Sequence, residues 1–259
     1  MLTVLLPRRA RAVLPILVAA GLAASSVLAT HEIGARTRAD REAFFGTASQ
    51  AWIDAATTGP VSYFYDGAAD WNAVSKTAYW NRSVTSIATL PGASLGPLPT
   101  TVVRPGADGT LLDRHLRPLT AHEIVASTAF TFAGTPIAEN AQGPDQPGLR
   151  LWKVPSAPAL STWTTGLKPN GDIVQPVRVT VFACGPGQLE LTLLGKQGTP
   201  VEIARDGVPQ RRIAPVSGTV WTGSIPAPTG ANGHTVCTYD ITSPGLVGST
   251  RIEFVATER

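Results

Sequence analysis

The chain has 259 residues, 43% of them hydrophobic and 15% charged, with two cysteines and a formal net charge of +3. This is enough apolar material for ordinary globular cores and too few cysteines for a disulfide-dense miniprotein. Removing Arg8, Arg9 and Arg11 from the 21 basic residues leaves 18 against 18 acidic ones, so the body of the chain is balanced and carries no basic footprint for nucleic acid.

Those three arginines stand directly before an uncharged run from Ala12 to Thr30. About 20 apolar residues cross a bilayer as one helix, and flanking arginines stay on the cytoplasmic side. Residues 1–30 are therefore expected to be a single transmembrane anchor, with everything after them outside the cytoplasm. The alternative is a cleaved signal peptide: Arg8 to Arg11 as its basic region, Leu14 to Ala24 as its apolar region, Val27-Leu28-Ala29 as its small-residue cleavage site, and a secreted product. Pro15 and Gly21 disfavour an isolated helix but are tolerated in membrane spans. A cytoplasmic core helix fits less well, because the run is apolar all round rather than striped.

Residues 31–45, rich in Arg and Ala, read as a polar helical bridge. The stretch 46–154 then mixes helix and strand signals. Ala48 to Ala56 is a short helix ended by Gly59-Pro60, and Val61 to Tyr65 is a β-rich run stopped by Asp66-Gly67. Ala69 to Arg82 is helix-compatible, with Trp71, Val74, Ala78 and Tyr79 near one face. Strands are expected at Val84 to Leu90, Thr100 to Arg104, Leu111 to Leu112, Glu123 to Ala126 and Leu149 to Val154. Strand, helix, strand at this spacing signals a small α/β subdomain with a parallel pair.

Pro155 to Ser161 reads as a linker, and residues 161–259 show no helical period. Short β-prone runs (Val177 to Phe182, Gln188 to Leu194, Pro200 to Ala204, Arg211 to Ile213, Thr219 to Ser224, His234 to Ile241, Thr250 to Val255) are cut by turns, with hairpin signals at Asp206-Gly207 and Asn232-Gly233. The expected fold class is thus α+β: an N-terminal span, the α/β subdomain, then an antiparallel β-sandwich of jelly-roll or immunoglobulin-like form. Cys184 and Cys237 each fall in a strand-like run. In an oxidising compartment a disulfide between them would close a loop of about fifty residues, the alternative being two small buried thiols.

Catalytic signals are thin. His31, His115, His122 and His234 are scattered, and no H-x-x-x-H, Walker-type or G-x-G-x-x-G pattern appears. No metal site and no cofactor are indicated, and no catalytic residue is assigned. Asp66 follows the first strand of the α/β unit, where open sheets collect ligands, so with Asp70 it would suit a cation or a sugar hydroxyl. Equally, Asp66-Gly67 is a routine turn and Asp70 a helix cap. Trp71-Asn72 and Trp80-Asn81-Arg82 form the densest aromatic and amide constellation. Rings that stack on sugars, next to Asn and Arg that bond hydroxyls, would suit a glycan; packing of both tryptophans onto the sheet is the competing role. Asn81-Arg82-Ser83 also matches a glycosylation sequon. Trp152, Trp163 and Trp221 are expected to fill the sandwich core or the seam between the two parts, with a sugar platform on the β-domain as the alternative.

A set of phrases resembles the C-terminal extracytoplasmic tail of actinobacterial multi-spanning membrane glycosyltransferases of the family 39-like, mannosyltransferase-like kind. They are Ala43-Phe44-Phe45-Gly46, Trp52-Ile53-Asp54, Tyr63-Phe64-Tyr65-Asp66-Gly67, Trp80-Asn81-Arg82, Gly148-Leu149-Arg150-Leu151-Trp152-Lys153-Val154, and Thr165-Gly166-Leu167-Lys168-Pro169-Asn170-Gly171-Asp172. The resemblance implies a retained anchor, a sandwich opened by the last phrase, and two matched cysteines. The many-helix catalytic bundle of those enzymes has no counterpart here, so their activity does not carry over. The expected function is a non-catalytic, membrane-anchored module at the outer face, assisting a membrane glycosyltransferase through contacts with that subunit or with a cell-envelope glycan. The alternatives are an envelope glycan-processing enzyme using Asp66 and Asp70, and a structural or adhesion protein.

Overall fold

The computed structural model describes residues 32–34, 36–37, 51–65, 71–91, 99–140, 148–167, 172–195, 200–214, 217–231, 235–244 and 247–256, excluding the side chains of 71–73, 174–175 and 250–251. Met1–Ala48 and Ser49–Arg259 are separate units. In the first, 32–34 and 36–37 are helical, and the Thr37 hydroxyl donates to the Ile33 carbonyl at 2.8 Å. The expected span from Ala12 to Thr30 lies outside the described residues, among which no helix is long and apolar enough to cross a membrane.

The second unit is mostly β-sheet. It opens with α1 (Trp52–Ala56), β1 (Val61–Tyr65), α2 (Trp71–Trp80) and β2 (Val84–Thr89). There follow β3 (Thr100–Pro105), β4 (Leu111–Asp113), β5 (Glu123–Ser127), β6 (Phe130–Phe132), β7 (Thr135–Asn140) and β8 (Leu149–Lys153). Seven strands form one sheet in the order β4-β3-β2-β1-β5-β8-β7. The expected parallel pair is present: Val61 lies opposite Val84 and Tyr63 opposite Ile87. β5 and β3 extend the parallel region on either side, and β4, β8 and β7 add antiparallel margins.

All five residues of β1 are buried, because both faces of the sheet are covered. On one face Val61, Tyr63 and Tyr65 pack with Ile53 of α1, Val74 of α2, and Ile87, Val125 and Leu151 of neighbouring strands. On the other, Phe64 packs with Phe130, Phe132, Trp152, Leu160 and Phe182. Each such burial is worth about 1.5–3 kcal/mol. Ser62 would be a liability here, but its hydroxyl bonds that of Ser86 on β2 at 2.8 Å.

The antiparallel part contains β9 (Leu160–Leu167), β10 (Asp172–Cys184), β11 (Gly187–Gly195), β12 (Val201–Arg205), β13 (Val208–Ile213), β14 (Val220–Pro226), β15 (Thr235–Thr242) and β16 (Val247–Ala256). Its path is β13-β12-β15-β10-β16-β11-β14, with β9 on β10 and β6 on β9. Alternate residues (Val177, Val179 and Val181; Leu189, Leu191 and Leu193; Cys237, Tyr239 and Ile241) point into one core, giving a sandwich- or barrel-like body. Side chains tie its two edges together. The Arg205 guanidinium donates to the carbonyls of Pro226 and Ala227 at 2.7 and 3.0 Å, and that of Arg211 lies 5.3 Å over the Trp221 ring.

Three strands differ from expectation. β6 is only three residues long, β7 carries Pro136 and is exposed almost throughout, and β9 begins inside the stretch Pro155 to Ser161. Asp206 and Gly207 join β12 to β13 with φ of 49° and 78°, the left-handed pair that a tight hairpin turn requires. Asn232-Gly233 lies outside the described residues.

Cys184 and Cys237 form a disulfide between neighbouring strands β10 and β15, with Cα atoms 5.8 Å apart and both residues buried in the core. For their sequence separation of 53 residues, the loop-entropy model gives about 4 kcal/mol of stabilisation. Replacing both cysteines by alanine is expected to lower the unfolding free energy by roughly that amount, read from urea titrations of the two proteins.

Candidate functional site

The end of α2 is built by a reciprocal clamp with α1. The five-residue helix α1 has Ala51 at its N-cap, which offers no side-chain acceptor. Asn81, immediately after α2, supplies one from a distance: its Oδ1 accepts from the amides of Ile53 and Asp54 at 2.9 and 3.2 Å, while its Nδ2 donates to the Thr77 carbonyl at 2.8 Å. In return the Asp54 carboxylate accepts from the amides of Arg82 and Ser83 at 2.8 and 2.9 Å and from the Ser83 hydroxyl. Each helix thus satisfies the orphan donors next to the other.

Burial would raise the Asp54 pKa. The hydrogen bonds from the Ser83 hydroxyl and the Ser83 and Arg82 amides, with the Arg82 charge, outweigh it and hold the carboxyl below its ordinary value.

This arrangement separates the residues that the sequence grouped. Positions 71 and 80 occupy opposite ends of α2, about 13 Å apart along its axis and roughly half a turn around it. Trp80, Asn81 and Arg82 sit where α2 hands over to the start of β2, whereas Trp71 and Asn72 open α2 at its other end, and Asp66 and Asp70 fall between β1 and α2 in the chain. Asp66 and Asp70 lie outside the described residues, as do the side chains of Trp71 and Asn72. Asn81 is 0% exposed, so its amide serves the clamp and offers no atom to solvent.

The exposed surface here is different from the expected one. Tyr79 is 46% exposed and its ring meets Trp80 edge to face at 5.3 Å, with Arg82 exposed beside them. Tyr79 was expected on the packed face. The buried stripe is Val74 and Thr77 with Ala78 partly covered, and five residues past Val74 the helical period has turned about 140° away.

The other tryptophans are structural. Trp152 is buried against Phe132, Trp163 stacks on Phe130 at 5.8 Å, and Trp221 packs against the sandwich core. In the middle of the sheet, strand order reverses between β1 and β5, and the carboxyl ends of strands at such a reversal are where open α/β sheets collect ligands. Gly92-Ala93-Ser94-Leu95-Gly96 has the G-x-S-x-G spacing of a nucleophile elbow, a pattern not among the sequence expectations. It lies outside the described residues, and the next described element is β3, not the helix that an elbow requires. Among the described residues no group of three or more His, Cys, Asp or Glu could hold a metal ion.

No protein-family model matches the chain, and no curated protein sequence matches it either.

A carboxyl lowered in the folded state stabilises above its unfolded pKa and loses that contribution as pH falls through its folded value. Stability is therefore expected to drop as pH falls below about 4, and Asp54→Asn should flatten that part of the drop in urea titrations. Asn81→Ala should cost about 1–3 kcal/mol at neutral pH, since it orphans the Ile53 and Asp54 amides.

Proposed function

We propose that this chain is a membrane-anchored, extracytoplasmic, non-catalytic module that assists a membrane glycosyltransferase by contacting an envelope glycan. The observation that carries the reading is the surface at the end of α2: an exposed Tyr79 ring set edge-on to Trp80, with the exposed Arg82 beside it. Aromatic faces take sugar rings, and a guanidinium donates to hydroxyl or carboxylate oxygens. The Asp54–Asn81–Ser83 clamp holds this surface in place before a ligand arrives, which reduces the ordering cost of binding.

Two further features support the setting. The Cys184–Cys237 disulfide suits an oxidising compartment. The arginines before Ala12 and the uncharged run behind them suit a single-pass anchor with the body outside. In this reading the antiparallel body is a jelly-roll or immunoglobulin-like sandwich, and the whole corresponds to the tail of the glycosyltransferases that its phrases resemble. A second reading, an enzyme acting on envelope glycans through Asp66 and Asp70, is favoured by the reversal of strand order at β1.

Isothermal titration of the full chain in detergent with cell-envelope polysaccharides distinguishes them. Binding heat is expected that disappears in Trp80→Ala and Tyr79→Ala and persists in Asp66→Asn. Absence of heat with every glycan counts against the module, and turnover of a labelled polyprenyl-phosphate sugar that is lost in Asp66→Asn favours the enzyme.

A further inference from the structure

β4 lies at the margin of the seven-stranded sheet and runs into a tight turn at residues 114–117. Asp113 organises that turn. Its carboxylate accepts from the amides of His115 and Arg117 at 2.7 and 3.0 Å and from the Arg117 guanidinium at 2.8 and 3.0 Å. The backbone closes the loop through Asp113 N–H to the Arg117 carbonyl at 2.8 Å and Leu116 N–H to the Asp113 carbonyl at 3.0 Å. The Arg117 amide, opposed by burial and helped by the Arg117 side chain, the His115 amide and the Arg117 charge, pulls the Asp113 carboxyl down to about 2, so the clamp holds at any physiological pH.

The clamp drives Leu116 to a φ of 60°, a left-handed conformation that is unfavourable for leucine. It also leaves that side chain 78% exposed, the most of any large hydrophobic among the described residues. That side chain buries nothing in the core, and backbone strain of this kind concentrates where a contact is made. Its surroundings are cationic. Arg114 and Arg117 lie on either side of it in the chain, and β3 beside it shows Val102, 41% exposed, and the exposed Arg104. Asp113 offsets Arg117, while among the described residues no carboxylate pairs with Arg104 or Arg114, whose Nε donates to the His115 Nε2 at 3.0 Å. Asp108 lies at the other end of the ribbon, in the turn before β4, engaged with Thr110.

We infer that this turn is a second contact with the membrane: Leu116 enters the apolar boundary of an anionic bilayer while Arg104 and Arg114 rest on its phosphate groups. A stable protein partner would need hundreds of square ångströms of complementary surface, more than one leucine and one valine offer. A bilayer takes a single apolar tip and adds the charges around it. Each arginine at such a surface is worth about fivefold in partition. Glycan binding is read elsewhere, where α2 passes into β2, and by a different experiment, so its failure would leave this contact standing.

The test uses the full chain carrying an environment-sensitive fluorophore at His115→Cys, with a control label at Thr222→Cys on β14. With vesicles containing anionic phospholipid, the His115 label should shift to the blue while the control does not. The shift should be absent with purely zwitterionic vesicles, and Arg104→Ala and Arg114→Ala should each weaken it about fivefold. Leu116→Asp should abolish it without disturbing the fold, because aspartate tolerates the left-handed conformation better than leucine. An unshifted label, an equal shift with zwitterionic vesicles, or a shift that survives Leu116→Asp would each overturn the inference.

Discussion

Phe64 meets the rings of Phe130 and Phe132 edge-on at 4.8 and 5.6 Å, and around them Leu160 and Phe182 close the second face of the parallel sheet. A parallel sheet cannot leave a face in water, because its central strands are apolar on both sides. Among the described residues the helices α1 and α2 cover one face. The cover for the other comes from β6, β9 and β10, elements that belong to the antiparallel body. The two sheets therefore complete one another. Backbone bonds stitch the same seam: Leu111 N–H to the Pro158 carbonyl at 3.0 Å, Leu160 N–H to the Gly109 carbonyl at 2.9 Å, and Ala183 N–H to the Ala107 carbonyl at 3.0 Å. Gly109 sits there at a φ of 82°, and any Cβ would collide with the Leu160 carbonyl oxygen.

A covered second face also explains where contact surfaces are left. With both faces of the central strand β1 buried, the margins of the sheet and the connections at its ends are what the described residues leave for partners. The proposed glycan surface lies at one of them, where α2 passes into β2, and the proposed lipid contact lies at another, beside β4. Both are held by a carboxylate that gathers backbone amides: Asp54 those of Arg82 and Ser83, and Asp113 those of His115 and Arg117. A carboxylate so engaged fixes the loop and leaves the neighbouring side chains to face outward.

How legible these features were depended on whether a local pattern encoded them. The parallel pair β1 and β2 could be read from the apolar run Val61 to Tyr65, the helical stretch after it and the next β-rich run. The hairpin at Asp206-Gly207 and most strands of the antiparallel body followed from turn residues and alternation. β9 escaped because its threonines, although β-branched and strand-forming, sit next to the prolines of an apparent boundary. β7 escaped because a polar edge strand with Pro136 has no alternation to show. The clamp at Asn81 was invisible for another reason: its partners Ile53 and Asp54 are 28 and 27 residues away, and no spacing rule links a residue after one helix to the start of another. Leu116 was likewise silent, since left-handed backbone in a leucine arises from the hydrogen bonds around it.

The claim on which the rest stands is that Ser49–Arg259 holds together as one cooperative body through the seam at Phe64 and Phe182. Scanning calorimetry of the full chain and of Phe182→Ala tests this most directly. One transition is predicted, with calorimetric and van't Hoff enthalpies equal, and the variant should shift all of it to lower temperature by a loss of about 3–5 kcal/mol. Two separate transitions, with Phe182→Ala moving only one of them, would contradict the account.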